Sequence, residues 1–246
     1  MMITFGTVRA GNLDYAIIEY GCIDVYTFDG FWTDPLEWHD GPVLTMDDTA
    51  LSVYTIDFGT YAVNWLIEIF DDNTTDAEDY WQICLDPDNS GGTAPGSGDY
   101  KIEIVGHTDL VCYQGSGSDW TEITPDPGEV MWSNSISGMS PWNLTEHWVL
   151  ELYFIKTAGV IQTPAPPNGM RVAVYDASNP DAGHLCWPPE SDADVPDTWG
   201  EENYQMANIP ESLSFGVVVL LSSVAVLVGS SWLRKRSRIG KSNERD

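Results

Sequence analysis

The chain has 246 residues and a net charge of −28, yet 43% of its residues are hydrophobic, with eleven Trp and eleven Tyr. Residues 1–212 hold 36 acidic and four basic residues, a net charge of −32, whereas residues 213–246 carry a net charge of +4. So acidic a body excludes nucleic acid as its partner, because nothing offsets the phosphate charge, and its apolar content excludes general disorder.

Residues 1–25 are interpreted as a lead-in segment or an N-terminal strand. They contain no signal peptide, because no basic start is followed by a sustained apolar run. Two explanations stay open: the true start lies upstream of Met1, or the domain remains inside the cell. The C-terminal features described below favour the first explanation.

Short runs of alternating apolar and polar residues mark residues 26–176, and this alternation has the period of a β-strand. Strands are predicted at Leu51–Phe58, Tyr61–Phe70, Asp79–Leu85, Lys101–Gly106, Thr108–Gln114, Val130–Ser137, His147–Lys156 and Gly169–Asp176. The run at 147–156 also fits a helical period, but its aromatic and β-branched content favours a strand. Short strands with turn signals between them predict an all-β fold, a two-sheet antiparallel β-sandwich of jelly-roll type.

The loop between the strands predicted at Asp79–Leu85 and Lys101–Gly106 carries oxygen-bearing side chains at alternate positions. Asp86, Asp88 and Ser90 precede two glycines, and Asp99 is placed to complete a cage. Such spacing suits Ca²⁺, although the loop is not an EF-hand because Ser97 stands where the closing Glu would be. The alternative is a solvated turn, in which Asp and Asn occur because they tolerate left-handed backbone.

A second acidic cluster lies beside the same end of this hairpin and gives a further candidate cation site. Its members are Asp71, Asp72, Asp76 and Asp79. Calcium is therefore the one cofactor that the sequence predicts.

Six tryptophans fall in or near predicted loops rather than within strands. They are Trp32, Trp38, Trp120, Trp132, Trp142 and Trp187. Aromatic rings presented by loops can stack on the apolar faces of sugars, while nearby carboxylates and amides bind the hydroxyls. The alternative for each ring is that it pins a loop to the sandwich. Trp65 and Trp81, by contrast, are assigned to the core.

The four cysteines are even in number and none lies in a CxxC pair, which disfavours zinc and leaves disulfides or buried free thiols. The preferred pairing is Cys84–Cys112 with Cys22–Cys186. The sequons at Asn73 and Asn143 predict N-glycosylation of an external domain. The four histidines share no ligand spacing, and no catalytic motif is present, so the chain is not predicted to be an enzyme.

The C-terminal part divides into three predicted segments. Residues 177–212 form an irregular wrap and an acidic stalk, residues 213–233 a transmembrane helix, and residues 234–246 a basic tail. The 21 uncharged residues at 213–233 suffice to span a bilayer, and a buried core helix rarely runs so long without a polar face. The basic cluster that follows places the tail in the cytoplasm and the acidic domain outside the cell.

Two resemblances follow from these features. The tail, with Ile209-Pro210-Glu211, an apolar span and a basic cluster, resembles those of archaeal cell-surface proteins. It is also similar to tails that begin Pro-Glu-Phe and are processed by archaeosortases, but Ser212 replaces the Phe, so a retained anchor is expected.

The body resembles the family 9 carbohydrate-binding module and DOMON-like β-sandwich superfamily. The residues that carry this resemblance are Asp29-Gly30, Asp34-Pro35, Trp38, the strand 65–70 with its acidic loop, the strand 79–86 with its Asp/Asn/Gly turn, and residues 171–176. The resemblance implies a sandwich that binds sugar or haem and often holds structural calcium.

These expectations combine into one functional prediction, a membrane-anchored extracellular module that binds carbohydrate or cell-envelope components, with an acidic sandwich stabilised by calcium. One alternative is a structural envelope or adhesion protein that binds no sugar. A second alternative is a haem-binding redox domain of DOMON-like type.

Overall fold

The computed structural model describes residues 11–19, 27–38, 41–57, 62–156, 158–162 and 167–204. The strands in these ranges are β1 (Asn12–Glu19), β2 (Val43–Met46), β3 (Ala50–Asp57), β4 (Ala62–Ile69), β5 (Tyr80–Asp86), β6 (Tyr100–Val105), β7 (Asp109–Gly115), β8 (Trp120–Ile123), β9 (Val130–Ser137), β10 (His147–Ile155), β11 (Asn168–Tyr175), β12 (Leu185–Trp187) and β13 (Gly200–Tyr204). Two single-turn 3₁₀ helices, Pro180–Ala182 and Pro196–Thr198, interrupt the last part.

These strands form two sheets, which confirms the predicted all-β sandwich. The larger sheet has the order β1-β13-β11-β5-β6-β7-β8, and β12 also pairs with β11. The smaller sheet has the order β2-β3-β4-β10-β9. Neighbouring strands run antiparallel except for β1 and β13, which are parallel. Residues 147–155 are a strand rather than a helix because they pair with β4 on one side and with β9 on the other.

The main core lies between the sheets and is built from the apolar side chains of alternating strand positions. In β5 these are Trp81, Ile83 and Leu85. Trp65 of β4 stacks on Phe154 of β10 with the ring centroids 5.1 Å apart. Trp65 and Trp81 are both in this core, as the sequence analysis expects.

A second hydrophobic layer covers the outer face of the smaller sheet. Residues 27–38 cross this face and bury Trp32 and Trp38 against apolar side chains of β3, β4 and β10. Both faces of β4 are therefore buried over all eight residues. Two buried glutamates on this face, Glu68 and Glu151, accept hydrogen bonds from the two indole N–H groups.

The region after β11 contributes strands as well as irregular chain. β12 pairs with residues 172–174, and β13 pairs with residues 168–170 farther along the same edge of β11. The segment between them turns over the outer face of the larger sheet, where the Ser191 carbonyl accepts a hydrogen bond from Arg171. Part of the predicted wrap at 177–212 thus completes the sheet.

The predicted Cys84–Cys112 disulfide is wrong. Cys84 and Cys112 are buried free thiols on β5 and β7, and β6 runs between these strands. Cys112 faces the main core, whereas Cys84 lies on the outer face, one position from the core residue Ile83. Two side chains on opposite faces of a sheet cannot be bridged. Cys186 is also a free thiol, and its predicted partner Cys22 lies outside the described residues.

No helix among the described residues is long and apolar enough to cross a membrane. The predicted span 213–233, the basic tail 234–246 and the Ile209-Pro210-Glu211 motif lie outside those residues.

Candidate functional site

A row of polar side chains crosses the outer face of the larger sheet. Because Trp81, Ile83 and Leu85 face the core, the alternation of β5 turns Gln82 outward. Gln82 lies opposite Glu103 of β6 in the ladder. We call Arg171, Gln82, Glu103 and Lys101, from β11, β5 and β6, the polar row.

Continuous hydrogen bonds connect the polar row. Arg171 donates from Nε to the carbonyl and hydroxyl oxygens of Ser191, both at 3.1 Å, and from an Nη atom to the Gln82 Oε1. The Gln82 amide donates to the Glu103 carboxylate at 2.6 Å, and Lys101 Nζ lies 3.3 Å from the same oxygen. Arg171 is buried, whereas the Lys101 and Glu103 side chains are 14% and 13% exposed. The outer end of the row therefore meets solvent.

Two aromatic rings border this accessible end. Lys101 Nζ lies 4.4 Å from the ring centroid of Tyr113 and 5.4 Å from that of Trp120. The Trp120 indole donates to Asp194 at 2.8 Å and lies nearly parallel to Trp199, with 6.5 Å between the centroids. The ring of Trp120 is thus held by one hydrogen bond and one parallel ring while it remains partly exposed.

A second aromatic group sits on the same sheet, at the other end of β5 and β11. Tyr80, Tyr175 and His184 have ring centroids 5.0–5.7 Å apart, and the Tyr80 hydroxyl is hydrogen-bonded to His184. Burial raises the pKa of Tyr80 to about 12, so its hydroxyl stays protonated. A cavity of about 350 Å³ opens beside His184, between residues 45–47 and residues 184–190.

The cysteine beneath the polar row is not a nucleophile. Cys84 lies next to Lys101 and Arg171 in the ladder and is fully buried. Burial raises the pKa of its thiol to about 12, and the neighbouring cations offset this only in part. Since the thiolate is the reactive form, this thiol is inert near neutral pH.

The six predicted ligand-binding tryptophans do not form one surface. Trp32 and Trp38 belong to the segment 27–38 and are only 2% exposed. Trp187 belongs to the main core and pairs with Val172 of β11 in the sheet. Trp132 is half-buried against the same core. The rings of Trp32, Trp38 and Trp187 are buried, and a buried ring offers no face to a sugar. Trp142 is 42% exposed and meets Trp32 edge-on at 5.5 Å, on the smaller sheet.

Trp120 is therefore the one predicted tryptophan that joins the polar row. Sequence reasoning missed Arg171, Gln82, Glu103, Lys101 and Tyr113. One signal could have found Lys101 and Arg171, since the body has only four basic residues and three of them, Lys101, Lys156 and Arg171, fall on predicted strands. The ladder then aligns Arg171, Cys84 and Lys101 across three strands.

The predicted cation loop between β5 and β6 brings its carboxylates together. Asp86 accepts hydrogen bonds from the backbone N–H groups of Ser90 and Gly91, at 3.1 and 2.7 Å. Asp99 accepts one from Gly96 at 2.6 Å, but its Oδ1 is buried without a partner. Burial raises the pKa of Asp86 to about 6 and that of Asp99 to about 7, and their mutual repulsion adds to the shift at Asp99.

The other members of this loop lie at the surface. Asp88 and Ser90 are exposed, and a hydrogen bond from Ser90 lowers the pKa of Asp88. Of the second acidic cluster, Asp71 is exposed whereas Asp72 and Asp79 are fully buried.

The sequons and histidines are dispersed. Asn73 is exposed, and Asn143 is half-buried with its amide donating to the Phe70 carbonyl at 3.3 Å. His107 and His147 are buried beside different carboxylates, Asp79 and Glu68, while His184 is exposed. His39 lies outside the described residues.

Comparison with known proteins supports the fold. No protein-family model and no curated protein matches the sequence. A family 9 carbohydrate-binding module from Caldicellulosiruptor kristjanssonii, solved with cellotriose, has 14% sequence identity and a TM-score of 0.50, and the match covers 79% of this chain and 96% of that module. A structure of such a module from the same organism with glucose has 12% identity and a TM-score of 0.50, over 78% and 96% of the two chains.

A protein of Bacteroides uniformis that is assigned as carbohydrate-binding has 11% identity and a TM-score of 0.48. The match covers 78% of this chain and 99% of the other. At identities this low the first two matches establish a common sandwich fold, that of a family 9 carbohydrate-binding module, and leave the ligand to be argued from the site.

Proposed function

We propose that this chain is a carbohydrate-binding module whose ligand lies on the outer face of the larger sheet. The observation that carries the proposal is the polar row, which runs from buried Arg171 to the accessible pair Lys101 and Glu103 beside Trp120. The fold shared with modules solved with cellotriose and glucose supports the same assignment.

The chemistry of this face suits a neutral polyhydroxylated ligand. Sugar hydroxyls both donate and accept, and the row offers the ammonium of Lys101 as a donor and the carboxylate of Glu103 as an acceptor within 3.3 Å. Hydrogen bonds to charged groups are the stronger ones. Rings such as Trp120 and Tyr113 complement the apolar C–H faces of a pyranose. A body of net charge −32 would repel an acidic sugar, which further favours a neutral one.

Binding of cellotriose and of a glycan array to the full chain in detergent tests this function. We expect saturable binding of at least one neutral oligosaccharide, with a change in tryptophan fluorescence as Trp120 is covered. Flat titrations across the array, with calcium present, would reject sugar binding and favour the structural or adhesion alternative.

The proposal includes membrane anchoring by residues 213–233, with the sandwich outside the cell. It rests on the uncharged span and the basic cluster after it. If residues 213–233 are the anchor, the full chain stays with membranes after carbonate extraction and a chain ending at residue 212 does not.

We also propose that the loop between β5 and β6 holds Ca²⁺ through Asp86, Asp88 and Asp99. Two points support this proposal: Asp99 presents a buried Oδ1 without a partner, and oxygen is the ligand that Ca²⁺ prefers. Bound Ca²⁺ would neutralise carboxylates that burial otherwise disfavours in the charged form.

Removal of calcium is expected to destabilise the domain. We expect the melting temperature to fall by several degrees on adding a calcium-selective chelator, since an ion that binds only the folded state stabilises it. Asp99→Asn should remove this response, and Asp181→Asn, at an exposed site outside the loop, should keep it. A melting temperature indifferent to the chelator would leave the loop as a solvated turn.

A further inference from the structure

A second group of potential metal ligands lies at one end of the sandwich, apart from the polar row and the calcium loop. Asp72 follows β4, Asp79 precedes β5 and His107 lies in the turn between β6 and β7. One ligand atom from each residue lies within 4.8 Å of the other two. Asp72 and Asp79 have no exposed surface and His107 is 5% exposed. We call these three residues the Asp–Asp–His cluster.

Four of the six polar side-chain atoms of the cluster have protein partners, whereas Asp72 Oδ2 and His107 Nδ1 do not. Asp79 Oδ1 accepts from the Ala177 N–H at 2.8 Å, and Oδ2 lies 2.7 Å from His107 Nε2 and accepts from the Asp76 N–H at 3.0 Å. Asp72 Oδ1 accepts from the backbone and hydroxyl of Thr74, at 2.9 and 3.0 Å. The remaining oxygen of Asp72, Oδ2, is buried without a partner.

The cluster holds more negative charge than its protein partners offset. Asp79 and Asp176 lie close enough to Asp72 to repel a charge on it. Three Lys or Arg side chains fall within the described residues, and each is engaged elsewhere. Lys101 pairs with Glu103, Lys156 with Glu202, and Arg171 is bound to Gln82 and Ser191. A carboxylate that stays charged when buried is paired with a cation, either a protonated side chain or a metal ion.

From this geometry we propose that Asp72, Asp79 and His107 form a structural site for a divalent transition-metal ion of the Zn²⁺ class. The donor set decides the kind of ion. One imidazole nitrogen and two carboxylate oxygens suit Zn²⁺, which accepts nitrogen and oxygen ligands at about 2.0–2.2 Å. Ca²⁺ prefers six to eight oxygen ligands, so the imidazole makes this a poor calcium site.

Such an ion would join three parts of the chain that meet here. Asp72 and Asp79 bound the acidic loop between β4 and β5, and His107 belongs to the turn after β6. The ring of His107 also stacks on Trp148 of the smaller sheet at a centroid distance of 3.8 Å, and the Trp148 backbone donates to the Asp72 carbonyl at 2.9 Å. The ion would therefore link the ends of both sheets, independently of any sugar on the polar row.

Calorimetry and thermal unfolding of the full chain in detergent, with ZnCl₂ as the probe, test this site. The protein is first freed of metals with a chelator and then kept in excess Ca²⁺, so that the calcium loop and the acidic surface are saturated. We expect one strong Zn²⁺ equivalent and a rise of about 5 °C or more in melting temperature. Asp72→Asn and His107→Gln should each abolish both effects, whereas Asp181→Asn should retain them.

The metal-free melting temperature separates a lost ligand from a damaged fold. Because Asp72→Asn removes a buried charge without changing the size of the side chain, we expect that variant to fold and to melt no lower than the metal-free wild type. Co²⁺ should give visible absorption bands in the wild type that are lost in Asp72→Asn. Retention of the Zn²⁺-dependent rise in Asp72→Asn would overturn the proposal, as would the absence of any further rise when Zn²⁺ is added to the calcium-saturated wild type.

Discussion

Replacing Glu151 with alanine is expected to lower the free energy of unfolding by about 4 kcal/mol, because two buried donors and one part-buried donor lose their acceptor. One carboxylate oxygen accepts from the backbone N–H groups of Asp29 and Gly30, each at 2.7 Å, and the other accepts from the Trp38 indole at 3.2 Å. For a domain of this size the melting temperature should fall by about 10 °C. Glu122→Ala, on the exposed part of β8, is the matched control and should change it little.

The isosteric variant Glu151→Gln tests the role of Glu151 in a second way, through the pH dependence of the free energy of unfolding. Burial raises the pKa of Glu151 to about 7, against the opposing effect of the hydrogen bonds from Gly30, Asp29 and Trp38. The folded state therefore holds a proton that the unfolded chain releases near pH 4.5, so the contribution of this group to stability is complete below that pH and is lost as the pH rises through about 7. The wild type should exceed the Gln variant in stability most at pH 5 and least at pH 8. Parallel pH profiles would contradict this assignment.

The sheets were predictable because their signal is local. In β5 and β6 the core set Trp81, Ile83, Leu85, Ile102 and Ile104 alternates with polar residues, so two short windows of sequence suffice to assign strands and faces. The same alternation already places Gln82, Lys101 and Glu103 outward. What no window contains is the ladder between β5 and β11, which brings Arg171 beside Cys84.

Trp32, Trp38 and the predicted Cys84–Cys112 disulfide show where local sequence misleads. Trp32 and Trp38 lie in a segment rich in turn residues, and such a segment resembles a surface loop in sequence. Their burial depends on the outer face of β4, which lies more than 25 residues farther along the chain. There Leu66 gives an apolar contact and Glu68 accepts a hydrogen bond from the Trp32 indole. Cys84 and Cys112 fall on nearby strands in sequence, but only their registers show that they face opposite sides of one sheet.

The polar row makes Trp120→Ala the variant with the largest expected effect on sugar binding. A ring that borders a binding face typically contributes 2 kcal/mol or more, so we expect the affinity for the best oligosaccharide of the array to fall about 30-fold or more. Trp120→Phe keeps a stacking ring and loses the hydrogen bond to Asp194, so it should retain most of the affinity. Isothermal titration at fixed calcium measures both variants.

A second tryptophan variant serves as the control. It shows whether a loss of affinity in Trp120→Ala comes from the loss of stacking at that position or from the loss of any exposed aromatic ring. Trp142 is exposed on the smaller sheet, and Trp142→Ala should leave the affinity unchanged. Glu103→Gln keeps the size of the side chain but weakens the charge-assisted bonds to Lys101 and to a sugar hydroxyl, so a loss of about tenfold is expected, with little change in melting temperature. If Trp142→Ala impairs binding and Trp120→Ala and Glu103→Gln do not, the ligand lies on the smaller sheet. The polar row would then serve only to hold the segment around Ser191 against the larger sheet.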